Sequence, residues 1–350
     1  MKIMIFGGAG FVASHLVDYC LKQGDEVIIT CRWNEDLSRM KHFEDKVKIE
    51  YVEATDITSI IRAINKHRPE VLSWLIAQSW VPYSFDNPIY TIETNTIGTL
   101  NLLEAVRIIQ DIDSKNNSQY IRMGFDGQDI RYDPLIHVCS SSEYYGKVER
   151  ENLPITENHP ANPGNPYGVG KVGADLISQI YAKYYDMNIL ITRMFTHCGI
   201  RRSMMSAENF YAKSIAELEI NGGDTIQVSN VTGMNSIRTW ADVRDAVKNY
   251  HNLFKKNKTG VFNIAGESVK SIQEVLDYLI SISKLDKDKI RFVENPKFFR
   301  KIDVDKQIVD ITKFKESVNW ENQITFEELM QSLLDYWREK IKNENTTKNR

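Results

Sequence analysis

The stretch Lys2-Ile3-Met4-Ile5-Phe6-Gly7-Gly8-Ala9-Gly10-Phe11-Val12-Ala13 decides how this chain of 350 residues folds. Lys2–Phe6 is a short, mostly apolar run that reads as a buried strand, and Phe11–Lys22 carries a helical pattern. Gly7 and Gly10 lie between the two, where a tight turn is needed and where a side chain would hold a pyrophosphate off the backbone. The helix start at Phe11 and Val12 then offers unpaired N–H groups and a positive dipole end. A glycine-rich turn alone is weak evidence. One that follows a strand and opens a helix stands in the context that dinucleotide binding requires. The spacing is GxxGxxA, which leaves Ala13 where helix and sheet must pack closely.

Beyond this loop, strands and helices alternate. Glu26–Cys31, Lys48–Val52, Val71–Ile76, Leu135–Cys139 and Asn188–Arg193 are predicted strands; Ile57–Lys66, Thr91–Ile109 and Tyr167–Tyr185 are predicted helices. Such alternation, with near-continuously apolar strands, predicts an α/β fold: a Rossmann-like, doubly wound parallel sheet covered on both faces. We expect this dinucleotide-binding domain to span residues 1–193. Asp111–Asp133 is polar, aperiodic and carries two glycines, so it is predicted to be a surface insertion, a flap. After Arg193 the pattern is irregular until predicted helices at Ser271–Ile282 and Thr325–Lys340. Residues 194–340 are expected to form a smaller, mixed substrate-binding part, partly interleaved with the first domain, and residues 341–350 a frayed tail.

Composition narrows the function. Lys plus Arg number 44 against 47 Asp plus Glu, a formal net charge of -3, which argues against a nucleic-acid binder. No apolar run is long enough to span a bilayer, so no membrane partner is expected, and the first residues are too short an apolar core for a signal peptide. Cys20, Cys31, Cys139 and Cys198 form no CxxC pair and are expected to be reduced and buried, in a cytoplasmic protein. The seven histidines show no HxxxH or HExxH spacing, so no metal site is expected.

The second strand ends Thr30-Cys31-Arg32-Trp33. An acidic residue here would take the ribose hydroxyls of NAD; Arg32 suits a 2′-phosphate, which favours NADP. A solvated arginine is the plainer reading. Asp56, before Ile57, is placed to meet the adenine edge or to cap the helix that follows. Tyr167-Gly168-Val169-Gly170-Lys171 puts a tyrosine and a lysine on one helix face. A free tyrosine titrates near pH ~10, and a nearby ammonium favours its phenolate, making it a usable base. The lysine can also hold a nicotinamide ribose, and Pro166 suits the first helical turn. Ser140-Ser141-Ser142-Glu143 follows the fifth strand, at the end where doubly wound sheets bind ligands. A serine there can bridge the tyrosine to a substrate oxygen, and Glu143 can move a carbon-bound proton. Equally, the serines can form a self-satisfied turn and Glu143 can start a helix.

Together these residues resemble the extended short-chain dehydrogenase/reductase family, and within it the GDP-mannose 4,6-dehydratases, from residue 1 to about residue 340. Ala77-Gln78-Ser79-Trp80-Val81, Ser84-Phe85, Pro88-Ile89-Tyr90-Thr91 and Gly98-Thr99-Leu100 to Leu103-Glu104-Ala105 match the family around its fourth strand, with Trp80 in place of its histidine. Phe195-Thr196-His197 to Arg201-Arg202-Ser203 resembles a family loop, with Thr196 for its asparagine. Phe298-Phe299-Arg300, with Asp303, Val304, Asp305, Asp310, Thr312 and Lys313, resembles its nucleotide-sugar tail motif. Phe210 and Asn209 stand where the family has lysine and arginine, and Arg238-Thr239-Trp240 keeps an arginine but loses the aspartate after it.

The resemblance implies that Ser141, Glu143, Tyr167 and Lys171 are catalytic. It implies NADP contacts from Gly7, Gly10, Phe11, Val12, Arg32, Asp56, Ile57, Ala77, Gln78, Tyr167, Lys171, His197 and Arg202. Sugar-nucleotide contacts fall to Ser79, Ser84, Ser142, Thr196, Arg238, Arg300 and Asp303. It further implies a homotetramer or homodimer in which the Arg32 side and the Arg201/Arg202 loop reach a neighbour's cofactor; the alternative is that these arginines face solvent. The expected reaction is NADP-dependent dehydration of a GDP-sugar, GDP-mannose or a relative, to its 4-keto-6-deoxy form. A GDP-4-keto-6-deoxymannose reductase, a UDP-sugar epimerase or decarboxylase, and a silent NADP-binding regulator are the competing readings.

Overall fold

A computed structural model describes residues 1–122, 132–204, 206–298, 305–318, 320 and 324–348. In chain order the elements are β1 (Lys2–Phe6), α1 (Phe11–Lys22), β2 (Glu26–Cys31), β3 (Lys48–Tyr51), α2 (Ile57–His67), β4 (Val71–Trp74), α3 (Val81–Asp86), α4 (Pro88–Ile92), α5 (Gly98–Arg122), β5 (Leu135–Ser141), α6 (Pro166–Tyr184) and β6 (Ile189–Met194). There follow β7 (His197–Cys198), α7 (Ala207–Asn221), β8 (Thr225–Val228), α8 (Val231–Met234), β9 (Ile237–Asp242), α9 (Val243–Lys255), β10 (Gly260–Ile264), β11 (Ser268–Ser271), α10 (Ile272–Ser281), β12 (Arg291–Glu294), α11 (Thr312–Val318) and α12 (Phe326–Lys348).

The chain forms two compact units. The first takes Met1–Tyr145, Pro160–Met194 and Val247–Phe262; the second takes Gly146–His159, Phe195–Ala246 and Asn263–Arg350. The first is built on a seven-stranded sheet of order β10-β6-β5-β4-β1-β2-β3. β3, β2, β1, β4, β5 and β6 are parallel, as the uninterrupted apolar strands predict. Order reverses between β1 and β4, the switch point outside which such sheets bind ligands. Met4, Phe6, Leu72, Trp74, Ile136, Val138, Ile189 and Ile191 bury one sheet face under Ala63 and Ile64 of α2 and Leu102, Leu103 and Val106 of α5.

The second unit contains a three-stranded sheet, β11-β9-β7, and a parallel pair, β12-β8. α7, α10 and α12 supply its core, with Tyr211, Ile215, Leu276, Leu279, Leu333 and Trp337 buried together. Regular structure therefore fills the stretch after Arg193 that reads as irregular in the sequence.

Other expectations change as well. Thr91–Ile109 is not one helix: α4 ends at Ile92, a widened π-type turn occupies Glu93–Ile97, and α5 follows. The first half of the expected insertion is not a flap but the continuation of α5 to Arg122, tied down by Asp113, which accepts from Arg68 Nη1 at 2.6 Å. The rest of that expected flap falls largely outside the described residues. The tail is helical to Lys348, because Ile341 extends the buried stripe of α12. All four cysteines are free, and Cys139 is partly exposed rather than buried. Among the described residues no helix is long and apolar enough to cross a membrane.

Candidate functional site

The site residues of the first unit gather at the C-terminal ends of its parallel strands. After β1 the chain turns with Gly7 at φ +80°, a conformation that L side chains rarely adopt. A Cβ on Gly8 would lie 2.6 Å from the Ile29 Cβ, so only glycine lets the loop lie this close to β2. Gly8 N donates to Thr30 O at 2.7 Å and Gly10 N to Gly7 O at 2.8 Å, closing the turn. Gly10 caps α1 without a side-chain bond, so the cap leaves the first-turn N–H groups to an incoming anion. This bare cradle fits a pyrophosphate.

Arg32, at the end of β2, is exposed. Its backbone N–H donates to Glu35 Oε2 at 2.9 Å, its guanidinium lies 3.6 Å from Glu35 Oε1, and its Nη1 is 3.5 Å from the Tyr90 hydroxyl. Beside it the exposed Trp33 ring meets Tyr51 edge-on at 4.8 Å. Asp56 caps α2, its Oδ1 accepting from Thr58 N at 3.0 Å, and Ile57 opens that helix against the core.

Past β4, Ala77 and Gln78 form a half-buried wall fixed by a residue that the sequence reading does not single out. Asn95, in the π-type turn, accepts from Gln78 N at 2.8 Å and donates to Gln78 O at 3.1 Å. Widened helical turns of this kind are common at functional sites. Ser79 is exposed. Ser84 is fully buried, and its hydroxyl donates to Val81 O at 2.6 Å inside α3.

At the end of β5, Ser141 and Ser142 are buried and Glu143 is half-buried. Ser141 Oγ accepts from Glu143 N at 3.2 Å. Glu143 Oε2 accepts from Asn165 Nδ2 at 2.8 Å. Asn165 Oδ1 in turn accepts from Gly168 N at 2.8 Å and caps α6, with Pro166 in the first turn. One amide thus joins the carboxylate to the head of the helix bearing Tyr167 and Lys171. A Cβ on Gly168 would sit 2.8 Å from Glu143 O, so the close approach requires that glycine. Lys171 is buried, and its ammonium donates to Cys139 O at 2.7 Å. Burial pushes its pKa below the ordinary lysine value.

Behind the serines lies a buried ion pair. Arg193 Nε donates to Asp175 Oδ2 at 2.8 Å and Nη2 to Asp175 Oδ1 at 3.0 Å. Its Nη1 donates to the Tyr145 hydroxyl at 2.9 Å, and its guanidinium stacks 3.6 Å from the Tyr144 ring centre. β6 and α6 thereby grip the segment that follows Glu143.

The remaining expected residues lie in the second unit. Thr196 O accepts from Ala241 N at 3.0 Å. His197 Nδ1 pairs with Phe195 O at 3.0 Å, and desolvation, helped by the Arg202 charge, lowers its pKa to about 4. Arg202 Nη1 donates to His197 O and to Glu208 Oε1, each at 2.8 Å. Arg238 Nη1 donates to Ile237 O at 2.9 Å. Arg300 and Asp303 lie outside the described residues.

A glycine cradle after the first strand, with Ser141, Tyr167 and Lys171 around the fifth, defines a dinucleotide-binding α/β enzyme. A family model described as GDP-mannose 4,6 dehydratase matches residues 4–333, and the chain belongs to that family. The human GDP-mannose 4,6 dehydratase is 26% identical over 95% of this chain and 90% of its own length. The UDP-glucose 4-epimerase of Thermotoga maritima, solved with UDP-glucose, superposes with a TM-score of 0.80 at 24% identity over 97% of this chain and 100% of its own. RMD from Pseudomonas aeruginosa, solved with NADPH, does so with a TM-score of 0.76 at 20% identity over 97% of this chain and 100% of its own.

Proposed function

We propose that this protein binds NADP and dehydrates a GDP-linked hexose, GDP-mannose or a close relative, to the 4-keto-6-deoxy sugar. The observation that carries this reading is Glu143. A carboxylate held by Asn165 beside Ser141, at the head of the Tyr167 helix, goes beyond what oxidation at one carbon needs. Dehydration needs it, because a proton must leave carbon.

Tyr167 takes the proton of the sugar 4-hydroxyl, with Ser141 bonded to the same oxygen. Lys171, a buried cation, favours the tyrosinate and holds the cofactor ribose. A nicotinamide held by the glycine cradle and Lys171 would supply the hydride chemistry, oxidation at C4 and reduction at C6. Once C4 is a ketone, the C5 proton is acidic; Glu143 removes it and delivers a proton to the departing C6 hydroxyl, which leaves as water, and C5 regains a proton when C6 is reduced, an uptake balanced by the proton left on Tyr167. The Gly7–Gly10 cradle holds the pyrophosphate, Ala77 and Gln78 flank the nicotinamide side, and Arg32 exchanges Glu35 for the 2′-phosphate. Sugar-nucleotide contacts are assigned to Ser79, Ser142, Thr196, Arg238, Arg300 and Asp303, and His197 and Arg202 support the cofactor. α6 exposes Val169, Leu176, Ile180 and Tyr184 at helical spacing, an apolar stripe suited to a second copy of the chain.

The test is mass spectrometry of product from GDP-mannose and related GDP-sugars with no added reductant. Loss of one water with no net change in NADP redox state is expected. Glu143→Gln should abolish water loss while cofactor binding persists; full dehydration by that variant would overturn the assignment. Turnover only of a 4-keto-6-deoxy sugar with NADPH would identify a reductase instead.

A further inference from the structure

The proposed reaction makes no use of a cluster at the other end of the first unit's sheet. Cys20 lies near the end of α1, Asp25 directly precedes β2, and His251 sits on α9. The thiol sulfur, a carboxylate oxygen and an imidazole nitrogen of these residues all lie within 4.8 Å of one another. Cys20 is 0% and His251 1% exposed, and the Asp25 side chain 6%. His251 Nε2 pairs with Asp25 Oδ2 at 2.7 Å, while Nδ1 of the same ring is buried without a hydrogen-bond partner. Asp25 Oδ1 accepts from the Met1 amine at 2.8 Å, and the Tyr19 ring packs edge-on against the imidazole at 5.1 Å.

We propose that Cys20, Asp25 and His251 form a zinc site. Thiolate, carboxylate and imidazole are the ligand types zinc accepts, and three protein ligands leave a fourth position to water or another donor. Charge favours the assignment. A dication balances one thiolate and one carboxylate, charges that are costly to bury alone, while the Met1 ammonium beside Asp25 keeps its own charge at the partly exposed edge of the cluster. Binding releases the Cys20 thiol proton to solvent, so affinity rises with pH. The ion would staple α1 and the loop before β2 to α9, across 226 positions of sequence between Asp25 and His251. That separation is why short-range histidine spacing, which argues against any metal, does not reveal the cluster.

The experiment uses the full chain with any affinity tag removed, loaded with Zn2+ or Co2+ and cleared of loose metal by gel filtration. We expect about one metal per chain, a thiolate-to-cobalt charge-transfer absorption, and a higher Tm with zinc than after chelation. Cys20→Ala should lose the charge-transfer band, and both Cys20→Ala and His251→Gln should lose retained metal and the Tm gain. Wild-type protein that retains no metal, or variants that retain as much as wild type, would overturn the site. If Cys20→Ala does not fold, the wild-type cobalt spectrum and His251→Gln decide the matter without it.

Discussion

Asn165 carries two duties through one amide: its oxygen caps α6 and its nitrogen holds Glu143. Asn165→Asp separates them. The carboxylate still caps the helix, and a negative charge there even suits the N-terminus. Facing Glu143, however, it replaces the donor with an acceptor, so the Glu143 carboxylate loses the bond that holds it in place. Turnover should therefore fall roughly tenfold or more, with Tm nearly unchanged. A loss of activity that only follows a loss of Tm would mean that Asn165 serves the fold alone. That Ser141, Glu143, Tyr167 and Lys171 lie near one another at the end of β5 and the head of α6 is legible in the sequence, because strand end and YxxxK are local patterns. Asn165 is half-legible, since Asn before Pro marks a helix start but says nothing of its second partner. Asn95, Asp175 and Arg193 are silent, because their partners lie across helices and strands that only the fold brings together.

Among the elements, α6 is the one with two demanding faces. One lies against the β5 end and the π-type turn; the other exposes Val169, Leu176, Ile180 and Tyr184, the last 77% exposed. A self-complementary patch is used twice in a two-fold pair. Ile180→Lys should thus cost roughly 3–6 kcal/mol of association, two buried aliphatic side chains' worth, and give monomer by light scattering where wild type is at least dimeric. A wild-type monomer would remove the stripe from consideration as an interface. β1, α1 and β2 match their sequence expectations end to end, since glycines and strand alternation punctuate them. The merged helix at Thr91–Ile109 does not, because a π-type turn widens the backbone without interrupting the apolar pattern.

For the molecule as a whole, two buried histidines make stability depend on pH below 6.5. His137 is fully buried between Ser73 Oγ and Thr192 Oγ1, each 2.9 Å away, and burial lowers its pKa from 6.5 to about 3. His197 falls to about 4. The unfolded chain takes up protons near pH 6.5, while the folded chain refuses them until pH 3 to 4. Below pH 6.5 the unfolded state therefore binds more protons, and stability falls with pH until the folded values are passed. Thermal melts should show Tm dropping steadily from pH 6.5 toward pH 4, with a shallower slope in His137→Gln. An unchanged slope in that variant would place the acid sensitivity on other groups.

The first unit is not continuous in sequence: its sheet ends in β10, a strand that the chain supplies only after β7, β8 and β9 of the second unit. A nascent chain that has just released Met194 from the ribosome therefore presents β6, Ile189–Met194, as an open edge whose six residues are all buried in the finished protein. Such an edge invites pairing with other chains until β10 arrives. Translation must run on to Ile264 before the sheet can close, so synthesis pauses between these points are the moments at which this protein is most exposed to aggregation and most in need of a chaperone.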